Sequence, residues 1–282
     1  FKQKTAYEIM PSLVGSEMCI RDRFSVALDG LSLWLFALSA LLMVSAVLVS
    51  WEAIDDRAAS VYGVLLLLEC GCLGVFAARD IILFYVFFEF TLIPLFFLIG
   101  IWGSSTTFKD FVRTKEYGAL KLVLMIVAAS VLVWIAIIVI YVEDGSRTFN
   151  IIALAASAQD GGFSEGFQRA VFPLVMIGFG LLAGMWPFHT WSPDGHVAAP
   201  TGVSMLHAGV LMKLGHFSII RVAFEIMPET TQKLMPIAAV LCVFSIVYGG
   251  LVSYFAKDTK YVIGYSSSSH MGYIFLGMAA LD

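Results

Sequence analysis

The chain has 282 residues, of which 60% are hydrophobic and 13% charged, and its formal net charge at pH 7 is −4. An average soluble domain is about 45–50% apolar and roughly 25% charged, so this composition excludes a soluble globular protein with a single apolar core. There is no run of lysine and arginine of the kind that binds nucleic acid. We therefore expect most of the surface to face a lipid bilayer.

Residues 1–23 are typical of neither a native loop nor a signal peptide, because charges lie in their centre and no continuous apolar stretch is present. The runs KQKTAYEI and LVGSEMCIRDR resemble the conceptual translation of a sequencing-library adapter. We therefore expect the native part to be a membrane domain over residues 24–282. Because the chain stops directly after an apolar helix, we also expect its C-terminal part to be missing.

Four stretches in the first half are long and apolar enough to cross a bilayer, which takes about 20 residues. They are residues 31–51, 60–78, 81–102 and 117–142. Residues 143–169 form the longest polar stretch, and they predict a surface loop with a short amphipathic turn.

The fifth apolar stretch begins near residue 170 and runs into Pro187, Pro193 and Pro200. Each proline removes a backbone donor and clashes with the preceding turn, so one regular helix cannot continue through them. We predict a broken helix with an irregular middle over residues 186–200. Irregular backbone at membrane depth is tolerated only against protein or a water-filled cavity. Further helices are expected at 202–226, 236–256 and 261–281, which gives an all-α membrane bundle of about eight transmembrane helices.

The loop charges predict the orientation of the bundle. When the helix ends are alternated, one side collects six cationic residues and the other collects four. The positive-inside rule assigns the first side to the cytoplasm of a bacterial inner membrane. Its members are Arg57, Lys109, Arg113, Lys115, Lys257 and Lys260.

Glu89 lies in the middle of the third apolar stretch. A charged group near the bilayer centre costs about 2.5–3.5 kcal/mol on insertion scales, and such residues normally face the bundle interior and move ions or protons. Pro94 leaves the carbonyl of Phe90 without its helical donor, which opens a place for water beside the carboxylate. The structural alternative is a neutral Glu89 that hydrogen-bonds to a neighbouring helix.

Lys213 occupies a similar mid-helix position, from which its ammonium group cannot easily reach the membrane surface. We predict that it is a proton-loading site whose charge state depends on nearby partners. Lys121 lies only five residues into its helix and could equally extend to the surface. His207 is six residues from Lys213 and is expected on another face, whereas His216 can share the face of Lys213. His270, midway along the last helix, is as consistent with packing as with proton transfer.

The sequence has no signature of a bound cofactor. It lacks a GxGxxG after a strand, a P-loop, a CxxC pair and any haem or flavin motif. We therefore expect no cofactor and no metal in this chain, and no direct contact with a dinucleotide.

Four stretches in order resemble subunit M of NADH:quinone oxidoreductase, which is chain 4 in mitochondria. They are LDGLSL at 28–33, LGVF to GIWG at 73–103, WPFHTWSPDGHVAAPTGVSMLHAGVLMKLG to IIR at 186–221 and DTKYVIGYSSSSHMGYIFLG at 258–277. The resemblance covers nearly all of residues 24–282. Antiporter subunits of multisubunit cation/proton antiporters and membrane-bound hydrogenases share the weaker parts of it.

The resemblance implies an antiporter-like fold of about fourteen helices with two inverted repeats, each containing a broken helix. This chain would hold the third to tenth of those helices. It further implies a non-redox subunit of a respiratory enzyme that couples NADH-to-quinone electron transfer to proton pumping, with other membrane subunits as partners. Glu89 matches the essential membrane glutamate of the family, and Lys213 matches its central lysine.

One position departs from the family. The lysine that usually pairs with the glutamate is replaced here by Leu182. His207, where the family more often has an apolar residue, could carry protons in its place. The predicted relay residues are therefore Glu89, Lys213, His207, Lys121 and His270.

Two other functions remain open at this point. A Na⁺/H⁺ antiporter subunit of a transport complex or a membrane-bound hydrogenase would share the same ionisable residues. A structural membrane scaffold whose relay has decayed is the second alternative, and Leu182 favours it.

Overall fold

The computed structural model describes residues 25–54, 56–107, 112–145 and 147–280, so the expected adapter segment 1–23 lies outside the described residues. Four long helices form the first half of the bundle. A short antiparallel ribbon, β1 (Thr106–Thr107) and β2 (Val112–Arg113), precedes the fourth of them, with Thr106 opposite Arg113. The helices are α1 (Gly30–Ala53), α2 (Ala58–Ala77), α3 (Ile81–Trp102) and α4 (Lys115–Glu143).

The second half contains the interrupted part of the fold. A short helix, α5 (Ile151–Gln159), leads into α6 (Glu165–Leu182), and the chain then forms the eight-residue helix α7 (Trp191–Ala198). Three further helices complete the described chain. They are α8 (Thr201–Phe224), α9 (Pro228–Phe255) and α10 (Thr259–Ala279).

Seven of the described helices are long and apolar enough to cross a membrane: α1, α2, α3, α4, α6, α8 and α9. Helix α10 has 21 residues, about the length that a spanning helix requires, but four consecutive serines at 266–269 make it more polar. The prediction of an all-α, multi-pass membrane bundle is thus confirmed.

Capping residues explain where the helix boundaries differ from the prediction. Helix α6 begins at Glu165, not near residue 170, because the hydroxyl of Ser164 accepts the backbone N–H of Phe167. Helix α9 begins at Pro228, eight residues before the predicted start at Pro236. The backbone N–H groups in the first turn of a helix have no acceptor within the helix. Proline lacks this N–H, so Pro228 can begin the helix at no cost in hydrogen bonds.

The predicted surface loop at 143–169 was wrong in part, because it contains α5. The side chain of Asn150 caps this helix by accepting the N–H groups of Ile152 and Ala153. Its inner face is buried through Ile151 and Leu154, and the N–H of Ile151 donates to the carbonyl of Arg79. Helix α5 therefore packs against the bundle.

The predicted break in the helix is confirmed, but the irregular middle expected over residues 186–200 was wrong in part, because residues 191–198 of it form the helix α7. Helix α6 ends at Leu182, residues 183–190 are irregular, and α7 follows. Pro193 is the third residue of α7, where a backbone N–H would have no intrahelical partner. The indole of Trp191 donates to the carbonyl of Leu181 at 3.0 Å and ties the two sides of the break together. All eight residues of α7 are buried, so the short helix beside the break is enclosed by protein.

Glycines let the neighbouring helices approach α7 closely. A Cβ atom at Gly118 of α4 would lie 2.6 Å from the Cβ of Ala198, and one at Gly264 of α10 would lie 2.8 Å from the Cα of Pro193. Helices α4 and α10 thus hold α7 from two sides, and this packing fixes the polar side chains of α7 inside the bundle.

Candidate functional site

Two buried histidines meet where α7 faces the start of α8. The rings of His196 and His207 stack with their centroids 4.2 Å apart and an angle of 17° between the planes. The indole of Trp191 lies on the other side of His207 at 5.4 Å. Both imidazoles are 0% exposed. The two helices therefore enclose a stack of three aromatic rings in the interior of the protein.

Most nitrogens of this stack have no hydrogen-bond partner. Nδ1 of His196 lies 2.8 Å from the hydroxyl of Ser204. Within the described part of the chain, Nε2 of His196 and both nitrogens of His207 are buried without a partner. Leaving a buried polar group unpaired costs about 1–3 kcal/mol, so a purely structural site would normally avoid it. These nitrogens are available to bind a proton or a water molecule.

Lys213 lies next to the stack in a helix of unusual winding. Residues His207–Leu211 of α8 form a π-helical segment, a feature that is frequent at functional sites. The half-buried ammonium group of Lys213 donates to the carbonyl of Ala208, inside that segment. Its charge acts on both His196 and His207, even though six residues separate Lys213 from His207 in the sequence. The structure therefore brings two of the predicted relay residues, Lys213 and His207, into one cluster.

Glu89 lies apart from this cluster, on α3. It is half-buried, and its Oε1 atom is shielded and has no hydrogen-bond partner in the described part of the chain. One turn earlier, the hydroxyl of Tyr85 interacts with Glu89 and with Ser130 of α4, and the Tyr85 ring stacks on Trp134 at 5.1 Å. The Glu89 carboxyl group thus lies at the interface of α3 and α4, where it faces protein.

Leu182 occupies the position at which the family resemblance implies a lysine. It is the last residue of α6, and its side chain is 3% exposed within the apolar core. A leucine supplies no charge, so Glu89 has no amine partner from this position.

Lys121 joins a cluster of charged side chains around Asp194. Its Nζ atom lies 2.6 Å from Oδ2 of Asp194, while Arg113 pairs with the other carboxylate oxygen. The hydroxyl of Tyr261 also donates to Asp194, at 3.1 Å. Beside this group, the ammonium of Lys260 donates to the carbonyls at the end of α7.

Burial lowers the pKa of Arg113, which lies in β2 outside the spanning helices, but the negative charge of Asp194 outweighs it. The net effect raises the pKa of Arg113 above its ordinary value. The guanidinium group therefore remains a fixed positive charge at this place.

Asp194 is the functional candidate that the sequence reasoning missed. The residue lies in an otherwise uncharged stretch at membrane depth, within SPDGH, and the criterion that selected Glu89 selects it equally. The proline and glycine on either side predict a break in the helix, and no separate role was assigned from the sequence to the carboxylate between them.

The remaining histidines differ in their surroundings. His216 is buried, and its two nitrogens lie 3.1 Å from the carbonyls of Met212 and Met271. His189, in the irregular segment, is also buried, and its ring interacts with the backbone of Pro187. His270 is exposed on α10, with Nδ1 2.7 Å from the carbonyl of Ser266, and it does not join the cluster. In the described parts of the chain, no three metal-ligating side chains come together.

Comparison with known proteins supplies the context of this site. A family model described as "NADH:quinone oxidoreductase/Mrp antiporter, TM" matches residues 78–281. The NAD(P)H-quinone oxidoreductase chain 4 of Gloeobacter violaceus is 34% identical over 259 residues, which are 92% of this chain and 47% of that protein. The chain thus spans about half the length of the curated relatives it matches.

Two solved structures share the fold. One is the respiratory complex I from Thermus thermophilus with bound NADH, at a TM-score of 0.79 and 30% identity, covering 90% of this chain and 51% of that chain. The other is the Mrp complex from Dietzia, at a TM-score of 0.73 and 20% identity, covering 90% of this chain and 46% of that chain. The second likeness concerns the fold alone.

Proposed function

The chain belongs to the NADH:quinone oxidoreductase/Mrp antiporter transmembrane family, and from this premise we propose that it carries protons as part of a membrane subunit of an NADH:quinone oxidoreductase. The family is the one that four stretches of the sequence indicated. The names of the relatives and the 30% identity to a chain of a respiratory complex I support the oxidoreductase in particular.

The observation that carries the proposal is the set of unpaired imidazoles beside Lys213. Three buried ring nitrogens of His196 and His207 lack a protein partner among the described residues, and an ammonium group acts on both rings. Polar residues inside membranes are expensive, and they normally mark a path for ions or protons. A proton leaving Lys213 would find imidazole nitrogens that can accept it directly or through water.

In the proposed cycle, the ammonium of Lys213 gives its proton to the imidazole stack and regains one from the water side. The hydrogen bond from Lys213 to the carbonyl of Ala208 holds the amine next to the π-helical segment between these events. Glu89, at the interface of α3 and α4, changes its charge when neighbouring membrane subunits do, and this alters the electrostatic field across the bundle. Moving one charge against 100 mV takes about 2.3 kcal/mol.

We expect no redox cofactor in this chain, so the energy would arrive from electron transfer elsewhere in the complex. The partners would be other membrane subunits and the lipid bilayer. The expected location is the inner membrane of a bacterium, with the Arg113 side of the bundle toward the cytoplasm.

The test is proton transport by the assembled complex in sealed vesicles. Addition of NADH and quinone should acidify the vesicle interior in a medium free of sodium ions. Acidification that requires sodium ions would instead favour the antiporter alternative. Electron transfer at full rate without any ion transport would contradict the proposal and favour a structural scaffold.

A further inference from the structure

Lys121 and Asp194 form an ion pair that is unusual for its burial. Their side chains are 23% and 5% exposed, with 2.6 Å between Nζ and Oδ2. Among the described residues, the other lysine–carboxylate pair is Lys233 with Glu165, whose side chains are 53% and 41% exposed. A lysine held inside the bundle by a carboxylate is thus found at the break in the helix and not at Glu89.

Three separate elements converge on the Asp194 carboxylate. Arg113 of β2 and the hydroxyl of Tyr261 of α10 bind Oδ1, and Lys121 of α4 binds Oδ2. Arg113 also donates to the Tyr261 hydroxyl at 2.9 Å. The Arg113 side chain is 37% exposed, so one oxygen faces the bundle surface and the other faces Lys121 inside.

This division allows Lys121 to lose its proton. A buried carboxylate with a single cation becomes an uncompensated charge when that cation is neutralised, which is strongly unfavourable. Asp194 has a second cation, and arginine does not deprotonate in proteins. The Asp194 carboxylate therefore keeps Arg113 as a partner independently of Lys121.

Acceptors for the proton lie close by. The charge of Lys121 acts on His189, which is buried and whose ring also interacts with the backbone of Pro187. His196, with its unpaired Nε2, is two residues after Asp194 on the same helix. Helix α7 therefore carries both the carboxylate of the pair and the first imidazole of the stack.

We propose that Lys121 and Asp194 are the proton-switching ion pair of this chain. Lys121 would take the role that the family resemblance assigned to a lysine at the position of Leu182. The inference rests on the proposed function, because it names residues of the same proton path. Asp194 and Arg113 act as positioning residues, and Lys121 carries the proton.

The test is the substitution Lys121→Arg in the complete complex, with protons pumped per NADH oxidised as the readout. Arginine keeps the positive charge and the ion pair but does not release a proton. We expect the complex to assemble and oxidise NADH while the protons pumped per NADH fall. Lys233→Arg is the matched control, because it makes the same replacement in the exposed pair, and its ratio should equal that of the wild type.

A second variant, Lys121→Gln, separates a switching role from a structural one. Switching predicts that both variants lose proton transport. A wild-type ratio in Lys121→Arg would overturn the inference, and so would a wild-type ratio in Lys121→Gln if the arginine variant fails to assemble. If the wild-type complex itself pumped no protons, that result would contradict the proposed function.

Discussion

Two buried histidines of α8 differ in whether their ring nitrogens have hydrogen-bond partners. At the end next to α7, His207 begins a π-helical segment, and both of its nitrogens lack partners among the described residues. Further along the same helix, His216 places both nitrogens against backbone carbonyls of Met212 and Met271. Both rings are buried, so burial alone does not separate them.

The difference lies in what each ring contributes to stability. The neutral imidazole of His216 has one N–H, which can donate to the carbonyl of Met212 or of Met271, and such a hydrogen bond contributes about 0.5–1.5 kcal/mol. His207 contributes no hydrogen bond within the described protein, and its unpaired nitrogens cost about 1–3 kcal/mol each. A residue that costs stability and remains buried beside an amine is better explained by proton transfer than by packing.

Lys213→Met should have the largest effect on transport. The substitution keeps the length of the side chain but removes the amine that exchanges protons with the imidazole stack. We expect the proton-pumping rate to fall on the order of tenfold or more, since each 1.36 kcal/mol added to a barrier is a factor of ten. Pumping by reconstituted vesicles measures it, and an unchanged rate would remove Lys213 from the path.

Glu89→Gln should have the next largest effect. Glutamine keeps the hydrogen-bonding shape at the interface of α3 and α4 but cannot change its charge. We expect a several-fold loss of pumping with little change in thermal stability. The control is Glu165→Gln, at the exposed start of α6, which should leave pumping unaltered. Equal pumping by both variants would argue that Glu89 is a structural residue.

His207→Leu is expected to lower the protons pumped per NADH and to leave stability equal or increased. The leucine removes the relay nitrogens but also removes unpaired buried polar atoms, and the latter change favours the folded state by about 1–3 kcal/mol. Thermal unfolding of the purified complex and vesicle acidification measure the two quantities. If His207→Leu, or the simpler variant His207→Ala, pumped as many protons per NADH as the wild type, His207 would be excluded as a proton carrier.

His216→Leu should have the smallest effect on pumping and a clear effect on stability. It removes the hydrogen bond that the imidazole donates to a backbone carbonyl, and we expect a loss of about 0.5–1.5 kcal/mol in the free energy of unfolding. Protons pumped per NADH should remain at the wild-type value. If pumping fell as far as in His207→Leu, the distinction between the two histidines would not hold.

Much of the fold follows from hydropathy alone. The third apolar stretch was predicted at 81–102 and is observed as Ile81–Trp102, because Asp80 caps its start and Gly103 follows its end. The break was predicted because prolines remove backbone donors. Helix α5 was missed because its inner face is covered through contacts with the 79–81 segment, and such contacts leave no periodic signal in a nine-residue helix.

The site was predictable one residue at a time but not as an arrangement. Lys213 and Glu89 stand out because a charge in an apolar helix is costly. The stacking of His196 on His207 depends on how α7 returns against α8, and no spacing in the sequence encodes it. Arg113 lies in a polar connection, where an arginine is ordinary, so its pairing with Asp194 required the tertiary structure.

The most direct test of the account follows the imidazoles themselves during turnover. Infrared difference spectra of the pumping complex, recorded with ring-labelled and unlabelled histidine, report imidazoles that change protonation. We predict isotope-sensitive histidine bands that disappear in His207→Leu and persist in His216→Leu. Spectra without such bands, or with the same bands after His207 is replaced, would contradict a proton path through the stack.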